Sequence, residues 1–201
     1  MTDPDLHLAS SSPRRADILK ALGLHFTAEG VDVDETPLQG ENVRDMVMRL
    51  AEAKASAAAR LFPGLVLGSD TAVALDGEIY GKPGGETEAM DMLARLSGRQ
   101  HEVLTAVVLV RDNRIWRDSS VTSVTFRQIQ ADEARRYWQS GEPEGKAGAY
   151  AIQGLGGIFV EEIAGSYSGV VGLPVFQTAR LLQQPGLTVI KPAESEDASA
   201  Q

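Results

Sequence analysis

At 201 residues, 43% hydrophobic and 23% charged, the chain suits one ordinary soluble domain, or two small lobes that share a core. Cysteine is absent, which excludes disulfides, thiolate zinc sites and cysteine nucleophiles together. A formal net charge of −9 argues against a general nucleic-acid binder, because such a protein needs a broad cationic face to displace counterions from phosphates. A small polyanion needs only a local cluster of positive charge, and the few lysines (Lys20, Lys54, Lys82, Lys146 and Lys191) are placed suggestively for one. No apolar run approaches the roughly 20 residues of a membrane helix, and Asp3 and Asp5 do not look like the basic start of a signal peptide. The cytoplasm is therefore the expected compartment, with no membrane and no nucleic-acid partner.

Leu6-His7-Leu8-Ala9 predicts a first strand, and Ser10-Ser11-Ser12-Pro13-Arg14-Arg15 leads it into an amphipathic helix carrying Ile18, Leu19 and Leu22. Ser12 suits the N-cap, Pro13 the first helical position and Gly23 the C-terminal stop. Such a junction is either a well-capped helix with solvated arginines or an anion site, built from free N–H groups, hydroxyls and the helix dipole. Phe26 to Val33 reads as a second strand that ends in Asp32, Asp34 and Glu35. Those acids form an ordinary loop or the oxygen donors of a magnesium site. Asn42 to Phe62 is the clearest helix, with a stripe through Val43, Val47, Leu50, Ala57 and Leu61 on which Lys54 falls. Lys54 either snorkels to solvent or points its ammonium at a phosphate or carboxylate.

Leu65-Val66-Leu67 meets Gly68-Ser69-Asp70-Thr71 and resumes as Ala72-Val73-Ala74-Leu75, so Asp70 interrupts what looks like strand on both sides. A carboxylate there marks a turn or a working group that a cation, metal or donor compensates. Asp76-Gly77 signals a tight turn, and the hairpin formed with Ile79-Tyr80 would return Lys82 towards Asp70. A helix over Glu86 to Leu96, strands over His101 to Val110 and Ser119 to Phe126, and a helix over Ala131 to Ser140 follow. Lys146 to Gly157, dense in glycine around Gln153, is a loop joining two strands or a place where backbone approaches a ligand. Ile158-Phe159-Val160 reads as a strand, Gly165 to Ser168 as a loop and Pro174 to Gln183 as the last helix. The order predicts a mixed α/β sheet over residues 1–190 as a single domain, with 191–201 a polar, disordered tail. Gly77 to Lys82 lacks the spacing of a phosphate-binding loop, Gly154 to Gly157 lacks that of a dinucleotide fingerprint, and the three histidines are scattered.

Leu8 to Arg15, Gly68 to Thr71 with Gly81-Lys82-Pro83, and Lys146 to Gly157 with Gly165-Ser166-Tyr167 and Gly172-Leu173-Pro174 together resemble one family over about Leu6 to Leu182. The chain is similar to the Maf family of nucleoside triphosphate pyrophosphatases, in the branch acting on dTTP and UTP. The resemblance implies a Maf/ITPase-like fold, a curved mixed β-sheet flanked by helices in two lobes with the nucleotide in the cleft. It implies cleavage between the α and β phosphates with a divalent metal cation, Mg2+ or Mn2+, for which Asp70 and Glu35 are the candidate ligands. Asp70 is then the expected base, Lys54 and Lys82 lie in the phosphate pocket, and Glu35 is an acidic partner. Ser10, Ser12, Arg14, Arg15, Thr71 and Gln153 are the expected substrate contacts, and a homodimer is the expected assembly. Gly169 departs from the pattern, a larger polar residue being expected there. House-cleaning of non-standard nucleotides and a link to cell-division arrest come with the same resemblance. The alternative is a nucleotide-binding regulator of septum formation that does not turn its ligand over.

Overall fold

The computed structural model describes residues 5–190, so the tail expected over 191–201 lies outside the described residues. Among the described residues seven strands and six α-helices follow one another as β1 (Leu6–Leu8), α1 (Pro13–Ala21), β2 (Phe26–Ala28), α2 (Val43–Ala59), β3 (Val66–Leu75), β4 (Glu78–Tyr80), α3 (Glu86–Leu96), β5 (Gln100–Arg111), β6 (Arg114–Phe126), α4 (Ala131–Gln139), β7 (Val160–Ala164), α5 (Tyr167–Val171) and α6 (Val175–Gln183). Short 3-10 turns at Ala147–Ala149 and Leu155–Phe159 lie between α4 and β7. All the strands join one mixed, open sheet in the order β2-β1-β3-β5-β6-β7, with β4 also paired to β3. Among the described residues no helix is long and apolar enough to cross a membrane.

β3 is central to that sheet. It pairs antiparallel with β5 from Val66 opposite Val110 through Ala74 opposite Glu102. Its other edge is shared, because β1 pairs in parallel with Val66 and Leu67 whereas β4 pairs antiparallel with Val73 to Leu75. Between these two partners the edge from Gly68 to Ala72 forms no ladder, and the sheet forks there.

Strand alternation divides the core. Val66, Ala72 and Ala74 of β3 with Leu104, Ala106, Val108 and Val110 of β5 face α2, packing on Met46, Val47, Leu50, Ala51, Ala55 and Ala58. On the opposite face one cluster gathers Leu67, Val107 and Leu109 with α1 and α6, and another gathers Val73, Leu75 and Val103 with α3 and α4. Gly68 makes the α2 contact close: a Cβ there would lie 2.2 Å from the Ala51 carbonyl oxygen and 2.8 Å from the Ala55 nitrogen. Asn42 caps α2 by accepting from the Asp45 N–H at 3.0 Å.

Several expectations are corrected. Asp70 does not interrupt β3, and the turn reading fails: the strand is continuous and Asp70 lies opposite Ala106. Its sequence signal misleads because a glycine and a carboxylate on one face break the apolar pattern while the ladder to β5 goes on. β2 stops at Ala28 rather than Val33, since after Glu29 the chain leaves the sheet and Gly30 packs against Ser11. β6 begins at Arg114 rather than Ser119; Arg117 is paired with Glu52 and Asp118 with Arg180, so charge there does not end the strand. Gly165 to Ser168 is only partly loop, because Ser166 caps the short helix α5. The strand expected at Ile158 starts at Val160, after a 3-10 turn. Leu61 is off the buried stripe of α2, being 70% exposed.

Candidate active site

The fork in the sheet opens a cleft of about 670 Å³, within the range of small-molecule sites. Asp70 and Thr71 lie in the stretch of β3 that is laddered to β5 on one edge only, and as neighbours on a strand they project to opposite faces. Both line the cleft because no strand closes that edge.

On the α2 side a single ammonium joins two carboxylates. Lys54 Nζ lies 2.7 Å from Asp70 Oδ1 and 2.5 Å from Glu35 Oε1. The side chains of Lys54 and Asp70 are 11% and 12% exposed, so the pair is screened little by water, whereas Glu35 is more open. Burial pushes the Asp70 carboxyl up from its ordinary value, with the Lys54 charge and hydrogen bond opposing it. The Lys54 hydrogen bond holds Glu35 below its ordinary value against partial burial. Lys82, just past β4 and 65% exposed, stands 3.9 Å from Glu35 Oε2. The hairpin thus brings Lys82 to the Asp70 cluster, through Glu35 and Lys54 rather than by direct contact.

On the α1 side the two consecutive arginines have different partners. Arg15 donates from Nε to the Gly172 carbonyl at 2.8 Å, from Nη1 to Ser10 Oγ at 3.1 Å and from Nη2 to Thr71 Oγ1 at 3.2 Å. It ties the start of α1 to β3 and to the end of α5, and the Ser69 hydroxyl shares the same Gly172 carbonyl at 3.1 Å. Thr71 Oγ1 is also 3.0 Å from Thr105 Oγ1, which lies 2.7 Å from the Gly169 carbonyl. Arg14 lines the cleft, and burial lowers its pKa. Ser12 occupies the N-cap of α1 with no side-chain capping bond, so its hydroxyl and the first N–H groups are free for another partner. Gly169 is buried where a Cβ would lie 2.6 Å from Ser120 Oγ, which accounts for the small residue at this position.

The glycine-rich segment supplies the third wall. Lys146 donates to the Glu144 carbonyl at 2.9 Å and lines the cleft, its pKa lowered by burial and then by the charge of Arg14. Tyr150 is held by a 2.9 Å hydrogen bond between its hydroxyl and His101 Nε2, and burial lowers the His101 pKa to about 4, which keeps that ring neutral at pH 7. Gln153 is exposed and lines the cleft. Val73, Val103 and Val170 add apolar lining to the cleft.

All ten residues singled out from the sequence line this cleft: Ser10, Ser12, Arg14, Arg15, Glu35, Lys54, Asp70, Thr71, Lys82 and Gln153. Asp32 and Asp34, the other acids of the second strand's end, do not line it; Asp34 instead accepts from the Thr36 N–H at 2.9 Å. Lys146 and Gly172 were not assigned a role from sequence. Lys146 had a signal, as one of few lysines opening an unusual segment, whereas Gly172 acts through its carbonyl, which side-chain identity does not encode. Among the described residues no group of three or more histidines or carboxylates could hold a metal alone. Asp70 and Glu35 still offer hard oxygen donors, on either side of the Lys54 ammonium, and magnesium characteristically takes one or two carboxylates and fills its shell with water and substrate phosphate.

The fold and cleft define an α/β protein whose sheet-edge pocket sets a buried carboxylate among cations. A family model described as Maf-like protein matches residues 5–185, and the chain belongs to that family. A protein of Methylococcus capsulatus named dTTP/UTP pyrophosphatase is 51% identical over 187 residues, covering 92% of this chain and 93% of its own. One of the same name from Colwellia psychrerythraea is 47% identical over 191 residues, covering 92% and 90%. The solved structure of the Staphylococcus aureus Ham1 protein is 18% identical with a TM-score of 0.45, covering 60% of this chain and 71% of that one.

Proposed function

We propose that this protein hydrolyses dTTP and UTP to the monophosphate and pyrophosphate, with Asp70 as the base that activates water. The observation that carries the reading is the Asp70–Lys54–Glu35 cluster, a buried carboxylate held beside an ammonium in a cleft that Arg14, Lys82 and Lys146 also face. The names of the relatives agree with it.

Asp70 takes a proton from water as the water oxygen bonds to the α phosphorus, and the bond from that phosphorus to the α–β bridging oxygen breaks, its electrons leaving with pyrophosphate. Burial makes Asp70 a stronger base than an exposed carboxylate, while Lys54 keeps it ionised. Lys54 and Lys82 face the charge that develops on the departing pyrophosphate. Asp70 and Glu35 would hold a divalent cation, Mg2+ or Mn2+, which supplies neutralisation of phosphate oxygens when bound. Ser12, the first N–H groups of α1 and Arg14 donate to phosphate oxygens, while Arg15 and Thr71 keep that wall in place. The Gln153 amide carries a donor and an acceptor and pairs with the N–H and carbonyl of a uracil or thymine edge.

Product analysis tests this reading. Purified protein with magnesium or manganese should release pyrophosphate, not orthophosphate, from dTTP and UTP faster than from CTP or GTP. Tight nucleotide binding without product would overturn it in favour of a non-catalytic nucleotide-binding regulator.

A further inference from the structure

The carboxylate of Glu142, after α4, lies outside the cleft lining yet is fully engaged. It accepts from the Tyr137 hydroxyl at 2.8 Å and the Gly156 N–H at 2.9 Å on Oε1, and from the Leu155 N–H at 2.9 Å on Oε2. Tyr137 Oη in turn accepts from the Ala151 N–H at 3.1 Å. The pair therefore grips the backbone on both sides of Gln153, at 151 before it and at 155 and 156 after it. Within the gripped span, the Gly154 N–H bonds back to the Ala151 carbonyl at 3.1 Å. The approach is close: a Cβ at Gly154 would lie 2.1 Å from Glu142 Oε2 and displace that carboxylate, and one at Gly156 would lie 2.5 Å from Tyr137 Oη and 2.9 Å from the Ala151 backbone, which demands glycine there. Tyr137 is buried, with its ring edge-on to Phe159 at 5.0 Å, so the clamp is rooted in the core. Gln153 itself is exposed, and its reach into the cleft is set by where this loop is held.

We propose that Glu142, acting with Tyr137, is a positioning residue that sets the preference for a uracil or thymine ring by clamping the loop that carries Gln153. It touches neither the substrate nor the reacting phosphorus, and it rests on the reading of Gln153 as the base-recognising side chain. Burial alone would raise the Glu142 carboxyl, but the N–H groups of Gly156 and Leu155 and the Tyr137 hydroxyl hold it below its ordinary value, which keeps the acceptor charged and its bonds strong. A loop freed from the clamp samples several positions, and only those matching the ring edge pair with both partners of the Gln153 amide. Loss of the clamp should therefore appear in the ratio of efficiencies between substrates, a quantity that a purely stabilising contact leaves unchanged.

The test compares Glu142→Ala, Glu142→Gln, Gln153→Ala and the double variant Glu142→Ala/Gln153→Ala, with kcat and KM for dTTP, UTP, CTP and GTP, and Tm for each protein. Glu142→Ala should lower dTTP and UTP efficiency about tenfold, mostly through KM, with a smaller loss on CTP. Glu142→Gln, which keeps one accepting oxygen but sets an NH2 group against a backbone N–H of the loop, should lose a smaller but measurable part of the preference, and it serves if the alanine variant does not fold. The double variant should show no more loss of preference than Gln153→Ala alone. If Gln153→Ala narrows the preference while both Glu142 variants keep the wild-type ratios, or if the two effects add independently, the proposal is overturned. If Gln153→Ala lowers all four substrates uniformly, the base-reading role fails first and takes the clamp's role with it.

Discussion

On the α2 side of the cleft charge is matched: Lys54 spans Asp70 and Glu35, and Lys82 stands near Glu35. On the α1 side Arg14 and Lys146 face the same space with no ion pair between them and a carboxylate among the described residues, and the charge of Arg14 depresses Lys146. The first wall is stable as it stands, because each buried charge has a partner. The second is balanced when a polyanion arrives to relieve the repulsion and offset the cost of burying those cations. One wall is thus organised for chemistry before binding, and the other is completed by the ligand.

The largest effect should come from breaking the matched wall at its centre. Asp70→Asn should lower turnover by about 10² to 10⁴ while nucleotide binding persists, as measured by pyrophosphate release and by direct titration. The same variant should not lose thermal stability at neutral pH. A carboxyl whose folded pKa is raised by burial opposes folding once pH rises past its unfolded value of 3.8, and the amide removes that opposition. Near-normal turnover in the variant would deny Asp70 the role of base.

Gly68→Ala attacks the same wall through packing instead of charge. The added methyl meets the α2 backbone at Ala51 and Ala55, so α2 must move off β3 and carry Lys54 away from Asp70. Overpacking of this kind costs about 1 to 3 kcal/mol, measurable by denaturant unfolding, and turnover should fall with it. An unchanged midpoint and unchanged rate would mean that the helix tolerates the shift.

Lys146→Ala tests the unmatched wall. It should raise KM about tenfold for all four triphosphates alike, with kcat nearly kept and the difference shrinking at high salt. A loss confined to kcat would move Lys146 into the chemical step. The smallest effect is a displacement of the acid limb of the pH–rate profile. With Asp70 as the proposed base, kcat/KM should fall as pH drops through a pKa lying above the ordinary carboxylate value. Lys54→Gln removes the charge that opposes the rise, and the limb should move to higher pH in whatever activity remains.

Much of this architecture is legible in local sequence. Ser12-Pro13 and Gly23 bracket α1, Asn42 opens α2, and Asp76-Gly77 turns β3 into β4 with φ of 53° and 83°, because caps and tight turns are decided by residues close in the chain. The motifs carrying Asp70, Lys82 and Gln153 likewise mark a site without any coordinates. Tertiary structure alone decides the rest. Asp70 reads as a break in sequence and proves to be mid-strand, since the ladder holding it comes from β5, with Ala106 opposite. Arg14 and Arg15 are indistinguishable as letters; Arg15 is committed to protein acceptors because the Gly172 carbonyl, 157 residues away in the chain, is brought to its Nε, and Arg14 meets no such partner among the described residues. Glu142 is an unremarked acid until the fold lays Tyr137, Leu155 and Gly156 around it. Propensity acts over a few residues, whereas whether a charge is paired, buried or free depends on surfaces that meet only when the sheet forms.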